Sequence, residues 1–219
     1  MKPSARQIAF DLPFRTSQGQ EDFFVSAPNA SAVKMLDQWP DWPQHCLLLI
    51  GPEGSGKSHL GALWANRAGA HLADLQQTPA AQQSAHWLVE DADRLSSATQ
   101  EEALFHLFNA VRSAGGSMVI TARTVPARWF LELADLRSRM QAMPIAQLSE
   151  PDDALLKAVL VKHFNDRQIE TEARLIDYLV PRMERSFAAV RKVVSELDRL
   201  SLEQKRPVTY RLAGELFGD

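Results

Sequence analysis

Apolar residues fall into two kinds of run along this chain, and the pattern changes near residue 150. Before that point, short apolar stretches bounded by polar or turn residues recur at Cys46–Ile50, Ala70–Leu75, His86–Val89, Ser117–Thr121 and Pro144–Ala146. Such runs are continuous rather than alternating, which predicts strands covered on both faces, as in a parallel sheet. Between them, Lys57–Ala68 and Thr99–Ser113 have helical spacing; in the second, Leu104, Leu107, Phe108 and Val111 share one stripe. Strand and helix alternating in this order predict a doubly wound α/β domain over residues 21–148. Residues 1–20 are polar and irregular, with Pro3, Pro13 and Gly19, and read as a flexible tail.

After Glu150 no strand candidate remains. Pro151–Phe164 opens with Ser149 as the expected N-cap, and Leu155, Leu156, Val159, Leu160 and Phe164 give a helical stripe. Thr171–Val180, Ser186–Leu200 and Thr209–Phe217 read as three further helices, separated by Pro181 and by residues 204–207. Residues 149–219 are therefore expected to form a small all-helical C-terminal domain. No internal repeat is present.

Composition narrows the class without choosing within it. The 219 residues are 45% hydrophobic and 23% charged, with a net charge of −3, which is ordinary for a globular protein. A slightly acidic balance argues against wholesale coating of nucleic acid. Cys46 is the single cysteine, so no internal disulfide can form. The longest apolar run is too short to span a bilayer and residues 1–13 lack a signal-peptide core, so a cytoplasmic location is expected.

The strongest chemical signal is Gly51-Pro52-Glu53-Gly54-Ser55-Gly56-Lys57-Ser58, a complete Gly-x-x-x-x-Gly-Lys-Ser motif between a predicted strand and a predicted helix. Its glycines turn backbone N–H groups inward around phosphate, Lys57 supplies a point charge to the terminal phosphates, and Ser58 offers a hydroxyl to Mg²⁺. His59, directly after the motif, joins the expected nucleotide-binding set. Trp87-Leu88-Val89-Glu90-Asp91 is an apolar strand ending in two carboxylates, expected to hold Mg²⁺ and activate water, with either acid able to take the metal. Alternation along the strand would send Glu90 and Asp91 to different sides. Thr121 ends the next strand; it either positions a lytic water or is simply a strand-terminal hydroxyl.

Taken together, these segments resemble the AAA+ ATPases, and within them the DnaA family, most closely its short Hda-type regulators. The resemblance rests on the P-loop, the Val89-Glu90-Asp91 strand end, Thr121-Ala122-Arg123 followed by Pro126, Asp135-Leu136-Arg137-Ser138-Arg139, and Phe187-Ala188-Ala189-Val190-Arg191. It implies an AAA+ P-loop NTPase fold: a parallel sheet flanked by helices, plus a helical lid. It further implies ADP or ATP with Mg²⁺ as ligands, Arg139 as an arginine finger acting in trans, and Arg191 as a lid arginine touching phosphate. Asp22-Phe23-Phe24-Val25 with Asn29 resembles the family's adenine-side segment, although Phe23 and Phe24 read equally as core residues.

Two departures from the DNA-binding initiators bear on function. The chain ends at Asp219, without the helix-turn-helix domain that reads duplex DNA in those proteins. Residues 76–85 carry no Lys or Arg where the initiators have an insertion that grips single-stranded DNA. Direct sequence-specific DNA binding is therefore not expected. Gln7, Ile8, Phe10 and Leu12 resemble the peptide by which Hda-type proteins dock on the β-subunit sliding clamp, an extended mode of recognition. The resemblance implies a regulator that binds the clamp and stimulates ATP hydrolysis by the replication initiator DnaA, preventing re-initiation. The alternative is an independent AAA+ ATPase, a loader or remodeller turning over its own ATP. A finger surface complementary to a nucleotide face also allows head-to-tail self-association.

Overall fold

The computed structural model describes residues 14–15, 23–76 and 85–218. They divide into two compact units: Pro28–Ser149, and a second made of the described residues up to Ala27 together with residues 150–218. Two short strands, β1 (Phe14–Arg15) and β2 (Phe23–Phe24), pair antiparallel with Phe14 opposite Phe24. They group with the helical unit, whereas the sequence places residues 21–27 in the α/β domain. The expected clamp peptide, Gln7 to Leu12, lies outside the described residues.

The first unit runs from α1 (Ala27–Leu36) through β3 (Cys46–Ile50), α2 (Lys57–Ala68), β4 (His71–Leu72), β5 (His86–Val89), α3 (Ala98–Ser113), β6 (Ser117–Ala122) and α4 (Ala134–Gln141) to β7 (Ile145–Gln147). Five of these strands form one sheet in the order β4-β5-β6-β3-β7, every neighbouring pair parallel. β3 is flanked on both sides and all five of its residues are buried. That is why its sequence reads as an unbroken apolar run. The predicted stripe on α3 also packs inward: Leu104, Leu107, Phe108 and Val111 are all buried. Each such side chain contributes roughly 1.5–3 kcal/mol through the area it removes from water.

The sheet departs from the sequence reading at its edge. Ala70–Leu75 contracts to the two residues of β4, both exposed. An edge strand has a single neighbour, here β5, and so half the backbone partners to hold it in extended pairing. The register sets Ile50 beside Ala122 and beside Gln147, and Val89 beside Ile120. The carboxyl ends of β3, β5 and β6 thus meet along one rim, where open α/β sheets bind their ligands.

In the second unit, α5 (Asp153–Asp166), α6 (Ala173–Leu179), α7 (Phe187–Gln204) and α8 (Tyr210–Phe217) close around Leu156, Leu160, Phe164, Leu179, Val194 and Leu212. Asp152 rather than Ser149 caps α5, its Oδ1 accepting the Leu155 N–H at 2.8 Å. Asp152 takes the role because it directly precedes the first helical turn and its short carboxylate reaches the third N–H along. Ser186 and Thr209 cap α7 and α8 in the same manner. No helix among the described residues is long and apolar enough to cross a membrane.

Candidate functional site

The P-loop lies on that rim, between β3 and α2. Gly51 leaves β3 with its N–H donating to the Ala122 carbonyl at 3.3 Å. A Cβ at Gly51 would stand 2.5 Å from the Leu148 carbonyl oxygen and 2.8 Å from Ser55 Oγ, so the close approach needs glycine. Gly56 precedes α2 with φ 94°, a left-handed conformation that costs a residue with a side chain far more than it costs glycine. The N-terminus of α2 consequently opens into the loop with no side-chain cap, leaving its first N–H groups for an anion.

Lys57 is 6% exposed, and its Nζ donates to the carbonyls of Gly51 and Pro52, each at 2.7 Å. Burial draws its pKa below the usual lysine range, and the Arg123 charge adds to that, against the pull of Asp91, Asp93 and Glu53. A buried ammonium resting on carbonyls gains greatly from a phosphate anion. Ser55 Oγ is buried and has no hydrogen-bond partner among the described residues. An orphaned hydroxyl, a helix terminus without a cap and a buried lysine together fit the phosphates of a nucleotide.

The acidic strand behaves differently from expectation. β5 ends at Val89, so the alternation expected to separate Glu90 from Asp91 no longer operates. Glu90 is exposed. Asp91 adopts a left-handed conformation with φ 50° and opens a single helical turn, Ala92–Arg94. Its N–H donates to Thr121 Oγ1 at 3.0 Å, and its carboxylate lies 3.4 Å from Arg94. Thr121 is fully buried, so its hydroxyl oxygen ties β6 to the end of β5. Ser58, exposed on the first turn of α2, and one of Glu90 or Asp91 are the side chains suited to Mg²⁺, which commonly takes one or two carboxylates and completes its shell with phosphate and water. Bound there, Mg²⁺ would neutralise phosphate charge.

Two residues that the sequence reading left without a role belong to this rim. Asp93 Oδ2 accepts the Arg123 N–H at 3.0 Å, while its Oδ1 is buried without a partner among the described residues. Arg123 Nη2 lies 2.9 Å from Glu53 Oε2 on the P-loop. A basic residue just past the end of β6 was the available signal, since the register of parallel strands puts it beside Gly51.

Arg139 sits on α4 with its guanidinium carbon 4.7 Å from the Phe105 ring centre and 5.2 Å from that of Phe108, and Nη1 donates to Asn109 Oδ1. It is half-buried against α3. Glu101, also on α3 and buried, accepts the N–H groups of Glu132 and Leu133 and so fixes the start of α4. Arg191 is exposed on α7 in the helical unit. It lies near enough to His163 on α5 to help hold that imidazole below its usual pKa, after burial and Lys162. Asn29, expected beside adenine, is buried on α1.

Comparison with known proteins gives a consistent picture. Residues 152–213 match the family model described as Hda, lid domain. The chromosomal replication initiator protein DnaA 2 of Chlamydia caviae is 26% identical over 94% of this chain, and the match spans 46% of that protein's length. Domain III of the Thermotoga maritima replication initiation protein DnaA superposes with a TM-score of 0.74 at 18% identity, covering 89% of this chain and 92% of that one. DnaA from Aquifex aeolicus, solved with the adenine nucleotide AMPPCP bound, gives 0.68 at 16% identity over 83% of this chain and 65% of its own.

Proposed function

We propose that this chain, similar in its lid to Hda and along most of its length to DnaA, is a regulator of replication initiation that holds an adenine nucleotide at Gly51–Ser58 and promotes ATP hydrolysis by the initiator DnaA. The observation that carries this reading is the pairing, in one chain, of a P-loop built for phosphate with a C-terminal unit matching the Hda lid. Gly54 to Ser58 would bind the phosphates, and Ser58 with Glu90 or Asp91 would hold Mg²⁺. Arg191 would reach phosphate from the lid, as the family resemblance implies. The nucleotide would be held here rather than consumed rapidly.

Arg139 would enter the nucleotide site of DnaA. Its planar, permanently charged fork suits the oxygens of a transferring phosphoryl group, and fingers of this type accelerate hydrolysis by about 10³–10⁵-fold. The cation–aromatic contacts with Phe105 and Phe108 hold the side chain when no partner is present. Gln7, Ile8, Phe10 and Leu12 would tether the protein to the β-subunit clamp, placing it at replicated DNA.

Single-turnover hydrolysis of ATP preloaded on DnaA, with clamp-loaded DNA, tests the reading. Wild-type protein should accelerate it, Arg139→Ala should not, and Gln7→Ala should lose clamp capture while retaining nucleotide. Full acceleration by Arg139→Ala would overturn the role of the finger. A second reading, an ATPase acting on its own nucleotide, draws on the Asp91–Thr121 bond that joins the acidic strand end to the neighbouring strand beside the P-loop. Rapid turnover by the isolated protein, lost in Asp91→Asn, would favour it.

A further inference from the structure

Phe130 is the most exposed large apolar side chain among the described residues, 97% open to water. Lone apolar residues are ordinary on a surface, but the backbone on either side holds this one there. Upstream, Trp129 Nε1 donates to the Thr124 carbonyl at 2.8 Å and closes the single helical turn Pro126–Arg128. Downstream, the buried Glu101 carboxylate accepts the N–H groups of Glu132 at 3.1 Å and Leu133 at 2.9 Å. Trp129 is extended, with φ −81° and ψ 139°, and extended backbone sends successive side chains to opposite sides. Trp129 and Leu131 both enter the core of the first unit, so Phe130 between them points out.

One stripe of α3 holds both this segment and Arg139. Glu101, Phe105 and Phe108 are four and three residues apart and so share a face of the helix, within about 10 Å along its axis. Glu101 anchors the residues just after Phe130, while the Phe105 and Phe108 rings carry the Arg139 guanidinium. Phe130 therefore stands on the same edge of the unit as Arg139.

We propose that Phe130 is the anchor of the docked complex, entering an apolar pocket beside the nucleotide bound by the initiator. The inference rests on Arg139 acting in trans and deepens that reading by naming the residue that sets affinity, apart from the one that sets rate. Arg139 picks the occupant: its charge suits a phosphate-bearing face, and Phe130 meets whatever flanks that face. A ring on a fixed backbone has two torsions to lose on docking and a large apolar area to remove from water. Aromatic and arginine side chains are also the residues that carry most binding energy at interfaces.

The full chain is titrated against ATP-loaded initiator on clamp-loaded DNA, reading both binding and single-turnover hydrolysis. Phe130→Ala should raise the concentration for half-maximal acceleration by about tenfold or more, with the rate at saturation within about twofold. Phe130→Leu should recover most of the affinity, and Phe130→Asp should bind more weakly than Phe130→Ala, because a charge would enter an apolar pocket. Melting by circular dichroism should match wild type in all three. Unchanged half-saturation in Phe130→Ala overturns the proposal, as does a fall in the saturated rate alone. Dissociation of a self-assembled form by Phe130→Ala, seen by sedimentation of the protein alone, also overturns it, for the occupant is then a second copy. Full acceleration by Arg139→Ala defeats the finger reading, while the half-saturation shift still judges Phe130. Wild type that neither binds nor accelerates the initiator sinks both.

Discussion

The helical unit and the rim of the sheet satisfy their polar groups in opposite ways. In the helical unit, α5, α7 and α8 each begin on a side-chain cap, and charged side chains on the surface pair with one another, as in Arg199 with Glu196 and Glu203, and Arg206 with Glu215. Along the rim, α2 begins with no side-chain cap, Ser55 Oγ and Asp93 Oδ1 are buried without partners among the described residues, and Lys57 rests on two carbonyls. Native proteins leave few such groups unmatched, and unmatched ones gather where something else binds. The contrast supports a ligand site at the rim without reference to any relative.

The contrast is sharpest where packing alone decides. Phe164 is fully buried at the centre of the helical unit, so Phe164→Ala should destabilise that unit by about 3–5 kcal/mol, read by denaturant titration. A loss under about 1 kcal/mol would mean the helices tolerate a void and the unit is less closely packed than described. A cap gives a smaller effect. Removing the Ser186 hydroxyl, which accepts the Ala189 N–H at 3.1 Å, should cost about 1 kcal/mol. The smallest change is expected at the rim. Ser55→Ala deletes a hydroxyl with no partner to lose, so stability should change by less than about 1 kcal/mol in either direction, while ATP affinity falls. A large loss of stability in Ser55→Ala would place an internal partner on that hydroxyl and erase the comparison.

Much of this arrangement is legible from residue order, and the exceptions share physical causes. Cys46–Ile50 and Lys57–Ala68 stand where the sequence puts them, because a fully covered strand and a P-loop helix both leave unambiguous patterns. Helix α1 escapes notice because its buried stripe is Asn29, Ala32, Val33 and Leu36: the spacing is helical, but two of the four positions are small or polar. α4 offers only Leu136 and Met140 as buried positions across eight residues, too few for a period to show. Glu101 lies on the apolar stripe of α3, and a carboxylate among Leu104, Phe108 and Val111 is a signal that it caps something else. Asp91 is the instructive case at the site. Strand alternation carried two residues past Val89 predicts opposite sides for Glu90 and Asp91, but the backbone turns left-handed at Asp91, whose N–H is held by Thr121. Nothing local in the sequence encodes that bond, which joins residues thirty apart.

The central claim is that the rim's unmatched groups are a phosphate site, and Lys57 tests it most directly. Mg-ADP and Mg-ATP should bind wild-type protein saturably at one site, measured by calorimetry. Lys57→Ala, folded by circular dichroism, should lose affinity for both by about 100-fold or more, since it removes a buried charge from the phosphates. Undiminished binding by Lys57→Ala would contradict the account, for the nucleotide would then sit elsewhere on the molecule.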